Sequence, residues 1–134
     1  MSSFEQQLRA IEAKTLDKME RAARKITLDA FTEVILRSPV DKGRFRGNWQ
    51  VAIGAVPDGT LELDDKTGSI TISKAAAEAQ GLELGDIVYL ANNLPYAQRL
   101  EDGWSQQAPE GMVKLTVQRF QQIADAVIRQ IGSE

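Results

Sequence analysis

Two adjacent carboxylates, Glu101 and Asp102, are the first side chains in this 134-residue sequence that could act as a general acid or base. Acid catalysis by a carboxyl group requires burial or a neighbouring negative charge that raises its pKa. Adjacent residues at a helix end point in different directions, and no second carboxylate motif stands at a diagnostic spacing. The pair therefore predicts a solvated helix end or an interface ion pair more readily than a hydrolytic centre built on Glu101.

The chain contains neither cysteine nor histidine. Without cysteine it has no disulfide scaffold, no thiolate zinc site and no cysteine nucleophile. Without histidine it lacks the commonest general base near neutral pH and the commonest metal ligand. Gly81 and Gly85 precede a predicted strand and do not open a helix, so they do not form a phosphate-binding loop. We therefore expect no enzyme, no cofactor and no metal site.

The densest basic run consists of Lys42, Arg44 and Arg46. On a strand, a spacing of two would place all three on one face, where they could contact phosphate groups. Phe45 and Trp49 would then point to the opposite face, so base stacking is not expected. The run favours a solvated face or a protein interface, and a DNA-contacting module using the same residues is the alternative.

The loop at 104–111 contains a tryptophan, Trp104, beside neutral glutamines and a proline. Interface cores favour tryptophan and are depleted in charge. Two interpretations stay open from the sequence. Trp104 either anchors a partner, or it folds back to cover the core of its own domain.

Apolar residues recur at three- and four-residue steps over residues 2–37, which predicts one long helix there. At 1.5 Å per residue it would be about 54 Å long, which exceeds what a compact domain of this size needs. We expect its N-terminal end to project and to seek a partner for the face carrying Phe4, Leu8 and Ile11. A break near Thr15, where the apolar stripe is weakest, is the alternative.

The rest of the chain alternates between strand and helix patterns. The predicted strands are at 44–54, in a weaker hairpin at 61–64 and 69–73, and at 87–91, where the strand is central. Two short helices are predicted, one at 74–80 capped by Ser73 and one at 96–101 capped by Asn92 or Asn93. The last element is an amphipathic helix at 112–131, whose apolar face carries Val113, Val117, Phe120, Ala124, Val127 and Ile131. They predict one α+β domain over 1–134, with two long helices packed on a small, mostly antiparallel sheet and two short helices. Within it, residues 44–111 hold the sheet, the short helices and the loop with Trp104.

Charge is distributed unevenly along the chain. Residues 1–54 contain ten Lys or Arg against seven Asp or Glu, a net charge of +3, whereas residues 55–111 contain three against ten, a net charge of −7. Opposite patches can attract a second copy or a differently charged neighbour, and the alternative is an unevenly solvated monomer. The charged first 14 residues and the lack of a long apolar run lead us to expect no secretory leader, no membrane contact and synthesis in a cytoplasm.

Two stretches carry motifs whose order and spacing can be compared with known proteins. The first is SPVDKGRFRGNWQ at 38–50, and the second is NNLPYAQRLEDGWSQQAPEGMVKLTVQRFQ at 92–121. Together they resemble the tail-completion, or neck, proteins of long-tailed double-stranded DNA phages. The resemblance covers about a third of the chain. Asp102 departs from the family pattern, in which an aromatic residue commonly precedes the glycine.

The resemblance implies a non-enzymatic structural virion protein with an α+β fold, made in the host cytoplasm. Its copies would form a ring, six-fold, where the tail tube meets the head connector. The implied partners are other copies, tail tube or terminator proteins and the connector. The DNA-contacting alternative is compatible with such a ring, since Lys42, Arg44 and Arg46 could line its DNA passage and contact passing DNA without sequence preference. A tail terminator subunit is the alternative role.

The motif positions that the resemblance marks extend over both stretches. They are Pro39, Asp41, Gly43, Arg46, Asn48, Trp49, Asn92, Asn93, Pro95, Tyr96, Leu100, Glu101, Gly103, Trp104, Gln107, Ala108, Pro109, Gly111 and Met112. The side chains of Asn92 and Asn93 can also form hydrogen bonds with backbone groups where a strand ends and a helix begins. The loop that ends at Gly111 would display Trp104 and Gln107.

Overall fold

The computed structural model describes residues 3–134 as helices around a two-stranded sheet. In chain order the elements are α1 (Ser3–Arg37), a 3₁₀ turn (Arg46–Asn48), β1 (Trp49–Ile53), α2 (Ser69–Ala79), β2 (Val88–Asn92), α3 (Ala97–Glu101), α4 (Val113–Gln118) and α5 (Phe120–Gly132). The predicted α+β class, with helices at both ends of the chain and a small antiparallel sheet, is confirmed. Position 2 of the predicted first helix lies outside the described residues.

Helix α1 is continuous over 35 residues. Strong helix formers fill it without Gly or Pro, so the weak point of the apolar stripe near Thr15 causes no break. At the other end, the hydroxyl of Ser38 donates to the Val34 carbonyl at 2.8 Å just before Pro39. Residues 3–17 are all exposed, so the N-terminal end projects as expected.

The predicted strand 44–54 is wrong in its first half, because the strand begins at Trp49. Gly43 adopts φ +92°, and its carbonyl accepts a hydrogen bond from the Gly47 N–H at 2.9 Å, which closes a tight turn, and a second from the Asp65 N–H at 3.0 Å. A Cβ at Gly43 would lie 2.6 Å from the backbone nitrogen of Lys66. The turn buries Phe45 and Trp49 together, edge to face, with ring centres 5.8 Å apart.

The predicted hairpin at 61–64 and 69–73 is also wrong, because its second half belongs to α2. The buried Asp65 carboxylate accepts hydrogen bonds from the backbone and the hydroxyl of Thr71, both at 2.8 Å, and thereby caps the first turn of the helix. Ser73 consequently lies inside α2 and not at its N-cap. This cap, together with the packing of α2 against α1, overrides the β-branched residues that favoured a strand.

The two strands pair antiparallel, with Trp49 opposite Asn92 and Ile53 opposite Val88. Strand β2 lies one residue later than the predicted strand 87–91. Because the described residues contain only this pair of strands, β2 is an edge strand and not the predicted central strand. Its residues are accordingly half-buried throughout.

The predicted helix 112–131 is divided at Arg119 into α4 and α5. Helix α5 runs antiparallel to α1, since Arg119 Nε lies 2.9 Å from Glu33 Oε1 at one end and Lys18 Nζ donates to the Glu134 carbonyl at the other. The buried residues of its apolar face are Ile123, Ala124, Val127 and Ile131. No helix within residues 3–134 has both the length and the apolarity to cross a membrane.

One buried cluster unites the end of α1 with both motif stretches. Its members are Val34, Ile35, Phe45, Trp49, Ala108 and Met112. Segments more than 50 residues apart in sequence therefore meet in a single core.

Candidate interaction site

The loop 103–111 is held against the exit of α1 by Gln107. Its side-chain oxygen accepts from the Val40 backbone N–H at 2.8 Å, and its amide nitrogen donates to the Val40 carbonyl at 3.0 Å. Nearby, the Trp49 indole N–H donates to the Ser38 hydroxyl at 2.7 Å inside the core. Gln107 is thus exposed, as predicted, but its amide is bonded to the backbone of Val40 and acts as a structural clamp.

Arg46 is directed at the C-terminal end of α1. Its guanidinium donates to the carbonyls of Leu36, Ser38 and Lys66 at 2.9, 2.7 and 2.8 Å. Carbonyls in the last turn of a helix have no partner within the helix and favour a nearby cation. Burial lowers the pKa of Arg46, and the charge of Asp65 acts in the opposite direction.

The three basic residues of the predicted DNA-facing run do not share a strand face. Arg46 is turned toward the backbone, whereas Arg44 is exposed and lies 2.8 Å from an Asp64 oxygen. This ion pair raises the pKa of Arg44. Lys42 is exposed on the loop. The cause of the difference is the tight turn that replaces the predicted strand.

Removing the Arg46 guanidinium is expected to destabilise the protein. Arg46→Ala leaves three backbone carbonyls without their donor and should lower the free energy of unfolding by about 3 kcal/mol. Arg46→Lys should recover only part of the lost free energy of unfolding, because an ammonium group cannot reproduce the planar, forked arrangement of guanidinium donors. Urea denaturation followed by circular dichroism measures both, with Arg44→Ala as the exposed control that changes stability little. Equal losses for Arg46→Ala and Arg44→Ala would contradict this role.

The candidate acid pair is not assembled as a catalytic unit. The Glu101 carboxylate accepts from the backbone N–H groups of Met112, Val113 and Lys114 at 3.1, 3.0 and 2.9 Å, which are the first donors of α4. Asp102 instead accepts from the Gln98 side chain at 3.0 Å. Glu101 therefore caps a helix, and its carboxylate oxygens are occupied by backbone N–H groups.

Asn48 is completely buried and joins the tight turn to the acidic segment. Its amide donates to the carbonyls of Arg44 and Leu61 at 2.7 and 2.9 Å, and its oxygen accepts from the Leu61 N–H at 2.7 Å. All of its hydrogen-bonding groups are therefore directed at backbone. The side chain specifies how the chain packs and is not available to a ligand.

The paired asparagines satisfy backbone groups, as expected. Asn92 donates to the Phe45 carbonyl at 2.9 Å, and Asn93 donates to the carbonyls of Pro57 and Gly59 at 3.0 Å. Neither caps α3, whose first residue follows Tyr96 without a side-chain cap. Both instead tie loops to the sheet.

Trp104 stands on the surface with 71% of its area exposed. The Arg99 guanidinium lies 5.0 Å from the centre of its ring, and Gly103 turns the chain outward with φ +90°. The core beneath is closed by Ala108 and Met112. Of the two interpretations that the sequence left open, the structure therefore excludes the one in which Trp104 covers its own core.

The motif residues separate by exposure into structural and accessible groups. Buried are Pro39, Gly43, Asn48, Trp49, Ala108, Gly111 and Met112; half-buried are Arg46, Asn92, Leu100, Glu101 and Gly103; exposed are Asp41, Asn93, Pro95, Tyr96, Trp104, Gln107 and Pro109. Asn93 and Gln107 are occupied by backbone groups of the chain itself. The accessible residues are therefore concentrated around Trp104 and Tyr96.

Two exposed apolar stripes lie outside the loop 103–111 that bears Trp104. On α1, Phe4, Leu8 and Ile11 are 67%, 49% and 62% exposed. Val113, Val117 and Phe120 are 39%, 66% and 50% exposed, although the sequence pattern placed them on the buried face of the last helix. Periodicity offered no signal for this second stripe, because the apolar pattern continues unchanged into the covered part of α5.

No three His, Cys, Asp or Glu side chains within residues 3–134 are grouped so that they could hold a metal ion. Comparison with protein-family models, curated proteins and solved structures gives no match.

Proposed function

We propose that this protein is a structural virion subunit of a tailed phage, a tail-completion or neck protein that forms a ring between the tail tube and the head connector. The observation that carries the proposal is the projecting part of α1. Its residues 3–17 are all exposed and bear an apolar stripe that no described residue covers. A helix of this length is marginal in water unless its apolar face is packed, which supports a role that neighbouring subunits complete.

The corner that bears Trp104 supplies the second support. The Gln107 clamp and the Glu101 cap fix the loop to the rest of the domain. An exposed tryptophan on a rigid loop loses little conformational freedom when a partner covers it, which is the property of an interface anchor.

Charge distribution supports a head-to-tail contact between copies. The acidic segment 55–111 has exposed carboxylates at Asp58, Glu62, Glu83 and Asp86, whereas residues 1–54 have a net charge of +3. Contacts between two different surfaces of one chain close into rings when the rotation between neighbours allows it. Attraction between unlike surfaces would orient the copies before the apolar contacts form.

The proposal is tested by comparing Trp104→Ala with Ile128→Ala, a second exposed apolar side chain. We expect the wild-type chain to form rings visible by electron microscopy and to bind tail or connector particles. Trp104→Ala should weaken association at least about tenfold in sedimentation experiments, because anchors of this type contribute about 2 kcal/mol or more. The melting temperature should stay unchanged, since the side chain is exposed.

Ile128→Ala should assemble like the wild type. A Trp104→Ala variant that assembles normally would contradict the role of Trp104 as an interface anchor. A wild-type chain that stays monomeric and binds neither tail nor connector particles would overturn the proposed function. Binding to the end of the tail tube alone would favour the terminator role.

A further inference from the structure

The exposed stripe of α1 lies on the side of the helix that α5 covers further along. Phe4, Ile11 and Lys18 are spaced by seven residues and therefore share one side of the helix. Lys18 donates to the Glu134 carbonyl at 2.9 Å, which places the end of the α5 segment at this level. The apolar side of α1 thus continues for about four turns beyond its intramolecular partner.

The second exposed stripe lies near the opposite end of α1. Val113, Val117 and Phe120 follow one another at steps of four and three residues, and adjacent Arg119 contacts Glu33 at 2.9 Å. Between the level of Glu33 and the middle of the 3–17 segment, α1 rises by roughly 34 Å. A continuous helix separates the two stripes, so those of one chain cannot meet.

We infer that the 3–17 segment of one copy packs onto the Val113–Phe120 stripe of the next copy. The inference rests on the self-assembly in the proposed function and adds a second pair of contacting surfaces to the loop that bears Trp104. Each stripe is apolar at helical spacing, so the two can pack as neighbouring helices do. Because the two surfaces differ, the contact is head to tail and propagates around a ring.

Charge favours a second copy as the occupant. The 3–17 segment contains three acidic residues against two basic ones, and Glu12 lies four residues from Leu8, beside the stripe. Between 112 and 122 the charged residues are Lys114 and Arg119, both positive. Because Arg119 is already paired with Glu33, Lys114 supplies the positive charge that the acidic Glu12 of the incoming helix can meet, and it also disfavours pairing of two acceptor stripes with each other.

The absence of cysteine from the sequence allows a direct test by disulfide cross-linking. The double variant Leu8→Cys with Val117→Cys changes two exposed positions and leaves the core intact. Under oxidation, links from position 8 of one copy to position 117 of the next should produce a ladder of covalent dimers, trimers and higher species on non-reducing gels. Either single variant can give no more than a dimer.

The matched control is Ala13→Cys with Val117→Cys, because Ala13 is exposed but lies on the other side of α1 from Leu8. It should give a ladder several-fold weaker. An equal ladder, the absence of any ladder, or complete dimerisation of Leu8→Cys alone would overturn the contact. Wild-type rings without a ladder in the double variant would leave the proposed function standing, whereas a ladder of open chains without rings would count against the ring and not against the contact.

Discussion

Asn48→Asp is expected to lower the free energy of unfolding by about 4 kcal/mol at pH 7. The substitution keeps the shape of the side chain but removes both donors. A carboxylate would then face the Arg44 and Leu61 carbonyls, which lie 2.7 and 2.9 Å from the present amide nitrogen, in a completely buried position. A buried charge with oxygen atoms as neighbours loses its hydration and gains repulsion.

The loss should depend on pH with a defined sign. Burial and the two carbonyls would raise the pKa of the introduced carboxyl above its unfolded value of about 3.9. A raised pKa in the folded state means that stability is retained below the unfolded value and lost as pH rises through the folded value. The deficit relative to wild type should therefore be smaller at pH 4 than at pH 7, because a protonated carboxyl can donate to one carbonyl.

Asn93→Asp is the matched control, because Asn93 is exposed and also donates to two backbone carbonyls. Its carboxylate would stay hydrated, so the variant should lose much less stability and show little pH dependence. Urea denaturation at several pH values measures both variants against wild type at the same pH. Equal losses at the two positions, or a pH-independent deficit for Asn48→Asp, would contradict the assigned role of Asn48.

The second large effect is expected from Gly103→Ala, at about 4 kcal/mol. Gly103 adopts φ +90°, and a Cβ there would overlap the carbonyl of Pro109. The loop can relieve this overlap only by moving away from α3, which would disrupt the Gln107 clamp. Assembly should be lost as well, because Trp104 follows directly.

Gly59→Ala separates the two causes of this loss. Gly59 adopts φ +74°, but a Cβ there would meet no atom within 4 Å, so only backbone strain of about 1 kcal/mol is expected. Thermal and urea unfolding provide the comparison, and sedimentation reports assembly. Equal stability of the two glycine variants would contradict the close approach of Gly103 to the Pro109 carbonyl.

The sequence by itself determined the elements whose signals are local. The uninterrupted helix formers of α1, the proline that follows it and the apolar run of β2 were sufficient to place these elements within one or two residues. The exposure of Phe4, Leu8 and Ile11 was also predicted, because a helix of that length exceeds the domain it serves. Helix capping, hydrophobic period and length act between near neighbours in the chain, and sequence patterns record them directly.

Only the tertiary structure decided the turn at 43–48, the helix at 69–79 and the surface position of Trp104. In the first two, alternating or β-branched residues favoured strands, but the turn is held by the Asp65 N–H, which donates to the Gly43 carbonyl from a distant part of the chain, and the helix packs against α1. Trp104 is exposed because Ala108 and Met112 already fill the core beneath the loop. Periodicity shows which side of a helix is apolar, but which part of that side is covered depends on where the other segments end.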